Sequence, residues 1–316
     1  DQQTIQDLNA LLLDISSHVT IVVIINRLSE TPSFCQQLIL LKSASIQWQT
    51  QVNQDLALQL VHVKQLLHLQ QQHLVVPIKD HDIFAPQPLD SNKALVTLRN
   101  AKVQYGDNIV FQHLNWTVKP QQHWQVTGAN GSGKTCLLNL ITGDHPQCYN
   151  NDINVFGFQR GTGESIWEIK QYIGYLSNGL HLDYRVNCTL LDVVLSGFYD
   201  SIGLYKKATK NQTLLALQWL TLMGLEDQAA TPFQTLSFGD QRLLLIARAM
   251  VKHPALLILD EPCNGLDDIN RLKVLALIDV LASDGSTTLL YVNHHQEDVI
   301  PSITEHLSMA NFKVTD

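Results

Sequence analysis

Charged side chains are scarce in this chain: they make up 16% of 316 residues, against 45% hydrophobic ones. That ratio excludes an intrinsically disordered polyelectrolyte and supplies core enough for one large domain, or one and a fraction. Basic charge is not in excess either. With 21 Lys and Arg against 29 Asp and Glu the formal charge is −8, so no diffuse positive field is available to gather nucleic acid, and none is expected as a partner. The 5 cysteines, Cys35, Cys136, Cys148, Cys188 and Cys263, are odd in number and never spaced C-x-x-C, which removes the usual grounds for a disulfide framework or a zinc site. Long apolar runs are missing as well. Stretches such as Ile21 to Ile25 and Leu256 to Leu259 fall far short of the roughly 20 residues that a membrane-crossing helix needs, so a membrane role has to come through a partner.

What is present is a phosphate loop. Gly128-Ala129-Asn130-Gly131-Ser132-Gly133-Lys134-Thr135 fits G-x-x-x-x-G-K-[ST] without a mismatch. Trp124 to Thr127 reads as a short buried strand leading in, and Cys136 to Ile141 as a helix leading out. Glycines let the backbone close around a triphosphate with N–H groups inward, and the helix N-terminus adds roughly half a positive charge. Lys134 can reach the β- and γ-phosphates, and the Thr135 hydroxyl can hold Mg²⁺. An ordinary Gly-rich turn would have to reproduce both the spacing and the strand-loop-helix context by accident. Cys136, directly behind the loop, reads on its own as a small buried residue.

A second feature is the apolar strand Leu256 to Leu259 running into Asp260-Glu261-Pro262. Paired acids at a strand end can be a solvated turn; with Lys134 upstream they fit a phosphate-loop ATPase, Asp260 toward Mg²⁺ and Glu261 toward the attacking water. Between them lies Leu236-Ser237-Phe238-Gly239-Asp240-Gln241-Arg242, a Ser-x-Gly turn entering a helix, which is either a plain cap or a second anion site. Short strands are expected at Val96 to Leu98, Val103 to Tyr105, Ile109 to Phe111, Leu114 to Val118, Ile153 to Phe156 and Ile173 to Leu176, and helices at Leu190 to Phe198, Leu214 to Met223 and Gln241 to Lys252.

Taken together, residues 94 to 310 resemble the ATP-binding subunit of ABC ATPases. The resemblance implies an α/β P-loop NTPase fold of ABC type, with a RecA-like core, an antiparallel β subdomain and a helical subdomain. It implies ATP and Mg²⁺ as cofactors. Gly128, Asn130, Gly131, Ser132, Gly133, Lys134, Thr135 and Cys136 would hold the phosphates, and Tyr105 would stack on adenine. Thr135, Asp260 and Asn178 would face the metal, and Glu261, His294 and Lys134 would be catalytic. Ser237 and Gly239 form the signature, and Gly265-Leu266-Asp267 the D-loop. His294-His295 alone could suggest metal ligands, but the pair has no further ligands near by. Three positions depart from the pattern: Asn178 stands for a Gln, Phe238 for a Gly and Asp240 for a Gln. A shortened Asn forfeits one hydrogen bond, about 0.5 to 1.5 kcal/mol, whereas losing a base such as Glu261 costs on the order of 10² to 10⁴ in rate, so Asn178 does not exclude hydrolysis and bears instead on coupling to a membrane partner.

The ends of the chain read as one unit written twice. The helix from Asp267, the strand Thr287 to Val292, Asn293-His294-His295 and Pro301-Ser302 match an opening helix after Asp1, a strand Thr20 to Ile25, Asn26-Arg27-Leu28 and Pro32-Ser33. In that alignment Arg27 stands where His294 does, so the first unit's switch is altered. The expected organisation is a C-terminal remnant of a first ABC domain plus a Gln- and Leu-rich helix from 46 over residues 1–72, a Pro-containing linker over 73–93, and a complete ABC domain over 94–316. Gly143 to Gln147, His181 to Val186, Ser196 to Gly203 and Val251 to Pro254 narrow the resemblance to tandem molybdate-transport ATP-binding proteins. That implies a cytoplasmic ATPase, peripheral on the inner membrane face, whose partners are the first ABC domain of the full-length protein or a second copy of this chain, and a membrane permease. The other readings are a soluble ABC ATPase that regulates, repairs or remodels a partner, and a non-hydrolysing ATP sensor.

Overall fold

The computed structural model describes residues 2–25, 31–42, 45–51, 76–78, 88–90, 92–293 and 298–312. The chain divides into two compact units, Asp1–Gln72 with Gly265–Leu272, and His73–Asn264 with Lys273–Asp316.

In the first unit, α1 (Gln2–Ser16) forms where the apolar residues recur at helical spacing. The strand expected at Thr20 to Ile25 does not form. An extended segment needs a ladder partner to satisfy its backbone, none is paired to it among the described residues, and Val22 and Ile24 stand 86% and 92% exposed. Two strands, β1 (Gln37–Lys42) and β2 (Ser45–Gln51), make an antiparallel hairpin instead. The second of these corrects the helix expected from residue 46: Ile46, Trp48 and Thr50 alternate with glutamines, a period of two that composition masked. The rest of that expected helix, with Asn26 and Arg27, lies outside the described residues, as does most of the linker.

The second unit is built from two sheets. The four short strands expected before the phosphate loop are two long ones, β3 (Val96–Tyr105) and β4 (Asn108–Val118). Their pairing slips register between Leu98 and Ala101 and again on to Gln104, with Asn100 and His113 at positive φ. Such bulges carry a strand through a break in alternation, which is why the pattern looked like four pieces. The Asn115 side chain accepts from the Asn100 N–H at 2.9 Å and so pins one bulge. After β5 (Trp124–Thr127) and α2 (Lys134–Thr142), β6 (Asp152–Val155) and β7 (Phe158–Gln159) complete an antiparallel sheet in the order β4-β3-β6-β7.

The chain continues through α3 (Ile166–Lys170), β8 (Ile173–Leu176) and α4 (Asn178–Asp183) to three helices, α5 (Leu190–Ser196), α6 (Lys210–Leu222) and α7 (Phe238–Met250). Capping boxes at Thr189 and Thr209 start α5 and α6. Then come β9 (Leu256–Asp260), α8 (Asp268–Ser283), β10 (Thr288–Val292) and β11 (Glu305–Ser308). The second sheet is parallel, ordered β11-β5-β10-β9-β8. Every residue of β9 and β10 is buried, as strands covered on both faces must be. The two sheets share one core, in which Phe111, Leu114 and Val118 meet Leu137, Leu140, Ile258 and Leu290. A parallel sheet of this kind presents ligand sites at the carboxyl ends of its strands, and all the motif residues of this unit that follow β5, β8 and β9 lie there.

Candidate functional site

The phosphate loop leaves β5 and ends in α2. Gly133 caps that helix in the left-handed region at φ 91°, and the Leu137 N–H bonds its carbonyl at 2.9 Å, so helical pairing begins at once. A turn this abrupt aims the first free N–H groups of α2 into the loop. Lys134 is 6% exposed; its Nζ donates to the carbonyls of Gly128 at 2.8 Å and Ala129 at 3.1 Å, curling the loop around its own ammonium. Ser132 is 3% exposed and its hydroxyl has no hydrogen-bond partner among the described residues. Such a buried orphan inside a glycine-rich loop that ends in a helix N-terminus fits a ligand carrying acceptor oxygens. Asn130 and Gly131 are exposed at the loop tip.

Across from the loop, β9 delivers Asp260. Its Oδ2 accepts from the Thr135 hydroxyl at 3.3 Å. Burial pushes the Asp260 carboxyl up, and the charge of Glu261 adds to it, while the Thr135 bond and the Lys134 charge pull the other way. A hydroxyl and a crowded carboxylate side by side are a hard oxygen pair suited to Mg²⁺. Glu261 sits at φ 51°, a rare conformation for a side chain with a Cβ; its N–H bonds the Val292 carbonyl at 3.0 Å across the strand ends. The Asn264 side chain reaches the Glu261 carboxylate at 3.4 Å.

Tyr105 ends β3 and is 55% exposed. Its hydroxyl lies 3.9 Å from Cys136 Sγ, which raises the phenol's pKa, and 2.8 Å from His145 Nε2. Cys136 is half-buried. These contacts bring an open aromatic face beside the first turn of α2. Ser237 caps α7: its hydroxyl accepts from the Asp240 N–H at 3.2 Å and donates to the Asp240 carboxylate at 2.7 Å, so the acid that departs from the family pattern is bonded to the signature serine. Gly239 is buried in the first turn. In the other unit Asp267 accepts from the backbone and side chain of Asn270 and starts α8.

Asn178 lies at the start of α4, and its Oδ1 accepts from Arg242 Nη2 at 2.6 Å. The oxygen expected toward a metal is thus engaged by the signature helix. His294 lies outside the described residues. Arg242, His145 and Asn264 were not singled out from sequence. The one available sign was at Arg242, a cation four residues after Phe238 that directly precedes the apolar run Leu243 to Ile246.

A parallel sheet flanked by an antiparallel one, with a phosphate loop and paired acids at its strand ends, defines a P-loop nucleotide-binding domain. The family model described as ABC transporter matches residues 111–264. The ABC transporter ATP-binding protein ModF of Escherichia coli is 46% identical over 292 residues, 92% of this chain and 59% of that protein. The molybdate import ATP-binding protein MolC of Haemophilus influenzae is 31% identical over 225 residues, 70% of this chain and 82% of that one. A nucleotide-free ATP-binding cassette from an ABC transporter superposes with a TM-score of 0.56 at 20% identity, over 69% of this chain and 88% of that one. The chain belongs to the ABC transporter ATP-binding family and carries its ATPase domain. It spans about three fifths of the length of ModF. No helix among the described residues is long and apolar enough to cross a membrane.

Proposed function

We propose that the chain is the C-terminal part of a tandem ABC ATPase, with residues 94–316 as a complete ATP-binding domain, that energises transport of molybdate or a related oxyanion. The observation that carries the ATPase reading is the convergence of Lys134, Thr135, Asp260 and Glu261 from beyond the ends of β5 and β9, two strands of the parallel sheet on either side of β10, with Thr135 and Asp260 3.3 Å apart. The oxyanion rests on the likeness to the molybdate import ATP-binding protein MolC.

In this reading ATP enters with its adenine on Tyr105 and its phosphates in the cradle of 128–136. Lys134 leaves the Gly128 and Ala129 carbonyls for the β- and γ-phosphates, and the Ser132 hydroxyl gains the acceptor it lacks. Thr135 and Asp260 would hold Mg²⁺, which, when bound, neutralises charge on the transferred phosphoryl group. Glu261 orients a water whose oxygen bonds the γ-phosphorus as the bond to the ADP oxygen breaks, and takes the water's proton. His294 serves as the switch. Ser237 and Gly239 cap ATP held by the first ABC domain or by a second copy. The location is the cytoplasm, beneath a permease.

A second reading, a soluble ABC ATPase that regulates or remodels a partner, is favoured by one observation: Asn178 is short and turned to Arg242. Fractionation with and without detergent, with identification of what co-purifies in the ATP-trapped state, separates the two. The ATPase itself is tested by Glu261→Gln: ATP binding within about twofold of the parent and turnover lower by on the order of 10² to 10⁴. Undiminished turnover rules out Glu261 as base.

A further inference from the structure

Arg242 is 1% exposed, yet none of the ion pairs among the described residues includes it. Loss of water pushes its guanidinium down to about 10, still charged at neutral pH. Its Nε and Nη1 have no hydrogen-bond partner among the described residues. A leucine would continue the run Leu243 to Ile246 at that position, and a buried cation without a counter-charge is a poor way to gain stability. What the side chain does make is specific. Nη2 donates to Asn178 Oδ1 at 2.6 Å and reaches the Asn264 carbonyl at 3.5 Å. Asn264 in turn holds the Glu261 carboxylate through its side chain at 3.4 Å. Phe238 lies under the guanidinium at 5.4 Å and stacks on His181 at 4.4 Å, and His181 Nε2 bonds Gln241 at 2.9 Å, so the ring that replaces a glycine of the signature walls the cation in.

We infer that Arg242 is a positioning residue that fixes the direction of Asn178 and steadies the turn carrying Asn264 and Glu261, joining the helix that begins at Ser237 to the hydrolytic side of its own nucleotide site. A shift of α7 when Ser237 meets a phosphate then moves Asn178 and the Glu261 turn together. The inference rests on Glu261 as the base and on Asn178 as a residue that the family resemblance turns toward the metal.

The test is a double-variant cycle in the full chain with Arg242→Met, Asn178→Ala and their combination, read as kcat and KM for ATP and as the affinity ratio of a non-hydrolysable ATP analogue to ADP. Each single change is expected to lower kcat, or the ratio, about tenfold with KM within about twofold, and the pair to fall no further than either alone, because they share one interaction. Arg242→Lys, which keeps the charge but not the planar fork, is expected between Met and the parent. Unchanged kcat and ratio in Arg242→Met, or losses that multiply in the pair, would overturn the inference, as would effects that only track the melting temperature. Glu261→Gln with Arg242 intact is the separate control. Undiminished turnover there removes the base assignment and leaves the Asn178–Arg242 coupling to be read from the affinity ratio.

Discussion

Two glycines of the phosphate loop, two residues apart, should respond differently to the same added methyl group. Both adopt positive φ, 76° at Gly131 and 91° at Gly133, so alanine at either costs about 1 to 2 kcal/mol of backbone strain. At Gly131 a Cβ would meet nothing within 4 Å, and strain is the whole cost. At Gly133 it would lie 2.7 Å from Val110 Cγ1 and 2.9 Å from Phe111 Cδ1, and Phe111 is fully buried in β4. Neither neighbour is the free end of a flexible chain, so overpacking adds about 1 to 3 kcal/mol. Gly133→Ala should therefore destabilise by about 2 to 5 kcal/mol and Gly131→Ala by about 1 to 2. Urea unfolding of both variants, read as the midpoint at constant slope, measures the difference, and thermal unfolding should separate them by several degrees. Equal destabilisation would refute the reasoning, because it would mean that β4 does not press on the loop where it turns into α2.

Tyr105→Ala should weaken ATP binding by about 1 to 3 kcal/mol, the usual worth of a base on an aromatic face, whereas Tyr105→Phe should stay close to the parent; calorimetric titration with ATP decides, and an unaffected Ala variant would remove Tyr105 from the adenine site. Stability should fall with acid. His123, His145 and His181 are all pushed below their ordinary range, burial being the largest cause in each. The unfolded chain then binds more protons below about pH 6.5, so their contribution is complete above that value and is lost as the pH drops, at no more than about 1.4 kcal/mol per pH unit for each. Asp260, pushed up, opposes this only nearer the carboxylate range. Melting temperatures that stay flat from pH 8 to 5 would contradict the histidine assignment.

The phosphate loop was legible because its pattern is local: glycine spacing, a following helix and one lysine are consecutive in the chain. The same holds for β9 ending in Asp260 and Glu261, where an unbroken apolar run meets two acids, and for the helices α5 to α7, whose apolar positions recur at a helical period. Period and composition misled where a partner decides the outcome. Thr20 to Ile25 has strand composition but no ladder among the described residues, and Ser45–Gln51 sits in a glutamine-rich stretch but finds β1. In β3 and β4 bulges at Asn100 and His113 hid two long strands behind four short patterns.

By itself, then, the sequence determined the motifs that follow β5 and β9, since glycine spacing with a lysine and a pair of acids need only neighbours along the chain. Only the tertiary structure decided which distant groups meet. It set Thr135 against Asp260, His145 against Tyr105, and Arg242 against Asn178 across 64 positions of sequence. Hydrogen bonds to a buried guanidinium depend on where two helices lie in space, and no periodicity of either helix carries that information.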